Sequence, residues 1–272
     1  MNWPAPFSCA AAMTFDVDGE AAWIGMDPGN AHRPGVLSQG AYGPKVGLPL
    51  LLGVLERHSV RATFFVPGVI VERYPARIQE LVDRGHELAL HGYTHTAPVL
   101  LGPAQERVEL DRAWEVLNRT GAAIEGYRSP SWDVSHVTLD LLEEKGLKYT
   151  SQFMDDISPY RHEGRKLIEL PIQWMIDDWP HFAWSGASES SRNIRGTAEV
   201  EAIWREEFDE IHALGGCYVL TMHPQVIGRP SRVKMFERVL DHIESHRDTW
   251  IATCSELAAH ADKELSHDGT MS

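Results

Sequence analysis

Eight short apolar runs punctuate the chain, at residues 10–15, 62–66, 87–91, 124–127, 147–151, 166–171, 217–222 and 250–253. Between most of them apolar positions recur three and four residues apart. That spacing predicts helices near 47–58, 70–84, 105–119, 135–145, 198–213 and 231–246. In the third of these, Val108, Leu110, Trp114 and Leu117 are available for a core, while Arg107, Glu109 and Arg112 form a solvated side. Short apolar strands alternating with helical patterns are the mark of βα units around a parallel sheet. No repeat, low-complexity tract or hydrophilic linker divides the chain, so we expect one domain over 1–272, with its core at about 10–258 and a frayed polar tail from 259.

Two connections interrupt this rhythm. Residues 20–44 carry Gly25, Pro28, Gly29, Pro34, Gly35, Gly40, Gly43 and Pro44, and residues 172–196 are rich in aromatics and Ser. Both follow strands, so both are expected at the carboxyl ends of a parallel sheet, as structureless segments forming the rim or lid of a pocket.

Composition narrows the function classes. A chain of 272 residues with 43% hydrophobic content can build a sizeable core, which excludes a disordered protein or a disulfide scaffold. A net charge of −14 argues against a nucleic-acid or anionic-membrane partner. Cys9, Cys217 and Cys254 lie far apart without a CxxC pair, the usage of buried thiols in a reducing compartment. Residues 1–7 show neither a basic n-region nor an apolar h-region, and no window is long and apolar enough to span a membrane, so the expected location is cytoplasmic.

Candidate chemistry gathers where the apolar runs end. The first run passes into Thr14-Phe15-Asp16-Val17-Asp18-Gly19-Glu20, and period-two geometry points Asp16 and Asp18 to one side. Two like charges that close call for a cation between them or an arginine on one of them; a strand end entering an Asp-Gly turn is the plainer alternative. The third run ends in His91-Gly92-Tyr93-Thr94-His95, which a helical turn would make an i, i+4 pair on one face. Two imidazoles and one carboxylate can hold a divalent ion with a position left for water. No Glu follows His91, so the HExxH protease pattern fails. Gly126-Tyr127-Arg128-Ser129-Pro130-Ser131-Trp132 offers an arginine that could pin a carboxylate or simply occupy a surface turn. Asp177-Asp178-Trp179 supplies a further acidic pair, and Leu220-Thr221-Met222-His223-Pro224 a histidine at a strand end, which alone reads equally as structural.

The five stretches in this order resemble the polysaccharide deacetylase family, the NodB-homology domains of carbohydrate esterase family four, over about residues 10–258. The resemblance implies a distorted (β/α) barrel of about seven units and one catalytic domain. It makes Asp18, His91 and His95 ligands of a divalent metal, most simply Zn2+. It makes Asp16 the base, Arg128 its tether, His223 the general acid and Asp178 the carboxylate that orients His223, with Asp177 as an adjacent competitor. Two features depart from the family pattern: Val17 separates the aspartates, and Ser131 precedes Trp132. Asp-Val-Asp, the glycine-rich first connection and the run from His223 to Pro230 bring the chain nearest a cytoplasmic branch. That branch includes peptidoglycan-deacetylase-like proteins and the metal-independent allantoinases and cyclic-imide hydrolases, and its members form homo-oligomers.

The implied activity is hydrolysis of a non-peptide amide, with a backbone N–H near Ser131 serving the oxyanion. Trp23, Trp132, Trp174, Trp179 and Trp184 fall in the predicted loops at one end, and of these we take Trp132, Trp179 and Trp23, with Ser131, as substrate contacts. Aromatic faces suit sugar rings and planar imides alike, and burial in the core is the competing use. Expected substrates are an N-acetylated sugar or peptidoglycan-like glycan, or else a small cyclic amide. A non-catalytic metal- or carbohydrate-binding domain is the third reading.

Overall fold

The computed structural model of the chain describes residues 1–184 and 194–268. Its longest strand is β1 (Cys9–Asp16), buried at every position. A run buried on both faces is what a parallel sheet covered by helices demands. The other strands are β2 (Thr63–Val66), β3 (Glu87–Leu90), β4 (Gly126–Tyr127), β5 (Tyr149–Thr150), β6 (Tyr160–Arg161), β7 (Ile168–Glu169), β8 (Cys217–Met222) and β9 (Thr249–Ile251). The sheet runs β6-β7-β5-β4-β3-β2-β1-β8, with β9 also on β1. Among the described residues only the β6–β7 pair is antiparallel.

The result is the expected α/β architecture, built as a curled half-barrel of seven parallel strands from β7 to β8. Between those two ends the extended backbone at Asp177 forms a single parallel bridge to Thr221. The register levels the carboxyl ends. Asp16 pairs with Phe65 of β2, Phe15 with Met222 of β8, and Leu90 with Tyr127. The residues just past these pairs, His91, Arg128 and His223, therefore surround Asp16 at one end of the sheet. Beneath them, Phe15 stacks on Phe64 at 5.0 Å, and Leu220, Met222 and Phe236 continue the core.

Several expectations need correction. The first long connection is largely helical: it contains Ala21–Met26, Pro34–Tyr42, a short 3-10 turn at Pro28–His32 and a π turn at Gly43–Gly47, which leads into the helix Leu48–His58. Pro28 and Pro34 stand at first helical positions, where a missing N–H costs nothing. The predicted helix 70–84 is two helices, Gly68–Arg73 and Pro75–Asp83, because Pro75 drives Tyr74 out of helical geometry. The tail does not fray at 259: Cys254–Asp268 is one helix, and Leu257, Ala258 and Ala261 are buried against β-strand residues Ala10 and Ala12. In the second long connection, Trp174–Ile176 and Trp179–Phe182 are helical turns, and residues 185–193 lie outside the described residues. All three cysteines are buried free thiols.

Candidate active site

Arg128 lies within the site with no exposed surface. A buried guanidinium needs a counter-charge and partners for its N–H groups. It donates from Nη1 to Asp16 Oδ1 at 2.8 Å and to Thr14 Oγ1 at 2.9 Å, from Nη2 to Ser151 Oγ at 2.9 Å, and from Nε to the Ser151 carbonyl at 3.0 Å. The Phe65 ring lies 4.1 Å beneath it. One oxygen of Asp16 is thereby fixed. The other, Oδ2, faces His91 Nε2 at 3.8 Å and His223 Nε2 at 3.9 Å.

Asp18, His91 and His95 converge. Asp18 Oδ1 lies 3.4 Å from Nε2 of each imidazole, and it is buried without a hydrogen-bond donor. Ligands held at about 2.0–2.1 Å around a tetrahedral ion stand roughly 3.3–3.4 Å apart, so these separations have the size of coordination-tetrahedron edges. His91 Nδ1 donates to the Arg128 carbonyl at 2.7 Å, which leaves the Nε2 lone pair facing Asp18. The unpartnered oxygen, the chemistry of the donor set and the edge lengths all fit a divalent cation.

The two histidines do not meet through a helical turn. Gly92 and His95 have φ of +68° and +64°, and the 91–97 segment is an irregular loop that places the rings 4.9 Å apart. A histidine at positive φ persists only where its surroundings hold it. Here the loop carbonyls of Gly92 and Tyr93 accept from Gly68 N and Val69 N at the start of the Gly68–Arg73 helix, and Glu109 accepts from the Thr94 N–H and hydroxyl. The carbonyls an i, i+4 helix would use internally are spent outward.

On the opposite side, His223 Nδ1 lies 2.6 Å from Asp178 Oδ1, and Asp178 Oδ2 accepts from His223 N at 2.9 Å. Asp177 is farther, at 3.7 Å, and accepts instead from Trp179 N. Of the two adjacent aspartates, Asp178 is the hydrogen-bond partner of His223.

Charge follows geometry. Burial alone would lower the His223 pKa, but Asp178, then Asp177, hold it well above the ordinary imidazole value. Burial pushes the Asp177 carboxyl up to about 8. Burial lowers His95 to about 4, which keeps the ring neutral, as a ligand requires. Burial would raise Asp18, but His95, His91 and His223 bring it below the usual carboxylate range.

Around these groups the aromatic residues divide. Trp23 is buried in the helix Ala21–Met26 and packs on Trp179 at 5.3 Å, and Trp179 in turn contacts the His223 ring edge at 5.1 Å. Trp132 is buried and stacks on the half-exposed Trp174 at 4.0 Å. Ser131 and Trp132 both hold positive φ, +60° and +55°. Sequence reasoning did not single out Thr14, Ser151 or Gln225 as site residues. Gln225, buried two residues after His223, donates from Nε2 to Asp18 Oδ2 at 3.2 Å; its nearness in sequence to His223 was the available signal.

Comparison with known proteins identifies the family and the fold. The polysaccharide deacetylase profile matches residues 41–150. A crystal structure from Mycobacterium smegmatis named for that family is 37% identical, with a TM-score of 0.93, and covers 97% of this chain and 94% of that one. A peptidoglycan deacetylase of Helicobacter pylori is 29% identical over 89% of this chain and 92% of its own length. The allantoinase PuuE is 21% identical, with a TM-score of 0.81 over 95% of this chain and 91% of that one, a likeness that shows a common fold.

Proposed function

This chain belongs to the polysaccharide deacetylase family, and from that premise we propose that it is a metal-dependent enzyme deacetylating an N-acetylated sugar or peptidoglycan-like glycan. Amide hydrolysis itself follows from the family. The observation that carries the finer reading is the Asp18–His91–His95 triangle with its 3.4 Å edges, flanked by Asp16 on one side and His223 on the other. Support for a peptidoglycan-like substrate comes from the Helicobacter pylori relative, which is named a peptidoglycan deacetylase.

The roles follow from what each atom has left to offer. Asp16 spends Oδ1 on Arg128, so Oδ2 is the oxygen available to take a proton from the attacking water. His223 spends Nδ1 on Asp178 and presents Nε2 to the site, with the ring held protonated by the carboxylates behind it. That proton goes to the departing nitrogen. A divalent ion, Zn2+ in this reading, would be held by Asp18, His91 and His95 and would supply Lewis acidity to water and carbonyl. A backbone N–H near Ser131 would serve the oxyanion in this reading, and Trp179, which touches the His223 ring edge, would be an aromatic contact for the substrate.

A second reading, hydrolysis of a small cyclic amide, is favoured by one feature. The helix Ala21–Met26 packs so closely over the metal-binding residues that a β-carbon on Gly25 would lie 2.3 Å from the His95 carbonyl oxygen. A covered site suits a small ring better than a polymer. Metal analysis of chelator-free protein, followed by a panel of chitooligosaccharides, allantoin and succinimide, tests both. Turnover of the oligosaccharides alone supports the first reading, and turnover of either ring compound alone replaces it with the second.

A further inference from the structure

Gln225 has no role in the chemistry just described, yet among the described residues it is the side chain outside the histidines that makes a polar contact with Asp18. Its Nε2 holds Asp18 Oδ2 at 3.2 Å, while Asp18 Oδ1, the oxygen facing both imidazoles, has no donor. The Gln225 Oε1 atom is itself buried without a donor. A residue kept there for packing alone would be better served by Leu or Met, which carry no buried acceptor to leave unsatisfied. The reverse amide orientation would set two oxygens against each other, so the donor must face Asp18.

The amide is held from behind. The π turn Gly43–Gly47 lies directly on the segment after His223, and a β-carbon on Gly43 would stand 2.9 Å from Gln225 N and 3.1 Å from Gln225 Oε1. The glycine-rich first connection is thus a wall pressed against Gln225, which in turn presses on Asp18.

We propose that Gln225 is a positioning residue that occupies one oxygen of Asp18 and reserves the other for the metal, with the Gly43 turn as its backstop. The inference rests on the metal-dependent reading above. It deepens that reading by making the first connection part of the ligand-orienting structure. Hydrogen bonds that orient metal ligands are worth about 10- to 100-fold in affinity, and that range is the effect expected here.

The test is a competition titration of Zn2+ and Co2+ against a chromophoric chelator, for the wild-type chain, Gln225→Leu and Gln225→Met, with circular dichroism melts of the metal-free proteins as a folding control. Affinity about 10- to 100-fold weaker in a folded variant, with an altered visible Co2+ spectrum from a freed Asp18 oxygen, supports the proposal. Unchanged affinity and spectrum in a folded variant overturn it, and a lowered melting temperature alone assigns Gln225 a packing role. Two variants are used so that one misfolded protein does not end the test. Failure of the wild-type chain to bind either ion overturns the metal reading itself, and is seen without any variant.

Discussion

Two clusters in this molecule have the same composition, one aspartate and two histidines, and only one of them is built for a cation. Asp18, His91 and His95 lie buried at the carboxyl ends of β1 and β3; Asp209, His242 and His246 lie on the outer helices Thr197–Ala213 and Pro230–Ser245 and the residue that follows. In the inner cluster the aspartate oxygen has no donor and stands 3.4 Å from each ring. In the outer one His242 Nε2 is 2.6 Å from Asp209 Oδ1, a hydrogen-bond distance and too short for two atoms sharing an ion. Arg205 also approaches His242 Nδ1 at 3.2 Å, which makes that nitrogen the acceptor and puts the proton on Nε2, where a metal would need the lone pair. Composition and proximity do not specify a metal site. An unsatisfied buried oxygen facing two imidazole nitrogens does, with the other nitrogen of His91 committed to the Arg128 carbonyl.

The largest test of that contrast is removal of one ring from each cluster. On the metal-dependent reading wild-type protein is expected to retain about one equivalent of metal, His91→Ala to lose it and, with it, turnover, and His242→Ala to leave both unchanged. Elemental analysis after gel filtration measures this. Metal lost with His242 and retained without His91 would invert the comparison.

Next in size is Asp16→Asn, which keeps a hydrogen-bond acceptor for Arg128 but not a base. We expect a fall in kcat of about 10²–10⁴-fold, with metal content retained and a native circular dichroism spectrum. A fall in metal content of the same size would mean that Asp16 belongs with the ligands. His223→Ala should resemble it.

A pH profile separates His223 from His91 and His95, the proposed ligands. Its raised pKa comes from Asp178 first and Asp177 second, working against burial. Asp178→Asn removes the larger cause, so the protonated imidazole is lost at lower pH. The alkaline limb of kcat/KM should move down by about one pH unit or more. The stability linkage has a matching sign. A raised folded-state pKa contributes stability fully below the unfolded value of about 6.5, and loses it as pH climbs through the folded value. The alkaline decline in melting temperature should therefore begin at lower pH in Asp178→Asn than in wild-type protein.

Most of the chemistry was legible in the sequence because each chemical residue sits where an apolar run stops, and parallel register then levels those stops. Asp16, His91, Arg128 and His223 could be placed at one end of a sheet from that logic alone. The His91–His95 turn could not, since its shape depends on hydrogen bonds to Gly68, Val69 and Glu109 that no local spacing announces. The first connection was misread for a related reason. Its glycines and prolines look like loop punctuation, but Pro34 starts a helix and Gly43 permits a close approach to Gln225, a contact made 182 residues away. The strand β6 is two residues long, below what periodicity can detect. Of the tryptophans, the sequence could say which end of the sheet they share but not that Trp23 and Trp132 are buried, because burial is decided by partners such as Trp179 and Trp174.

The smallest expected effect lies at the outer cluster and sharpens the contrast by what does not happen. Asp209 is nearly half exposed, so its pairs with His242 and His246 are screened by water and worth about 0.2–1 kcal/mol at most. Asp209→Ala should thus shift the melting temperature only slightly. A ligand that binds the folded chain alone raises its stability by RT ln(1 + [L]/Kd), about 2.7 kcal/mol at a hundred times Kd. Zinc added in that excess should raise the melting temperature of wild-type protein and of Asp209→Ala by the same amount, and should do nothing for His91→Ala. If instead the zinc-dependent increment disappears with Asp209, the outer cluster is the tighter site, and an open hydrogen-bonded triad on two helices outcompetes a buried one with an oxygen to spare.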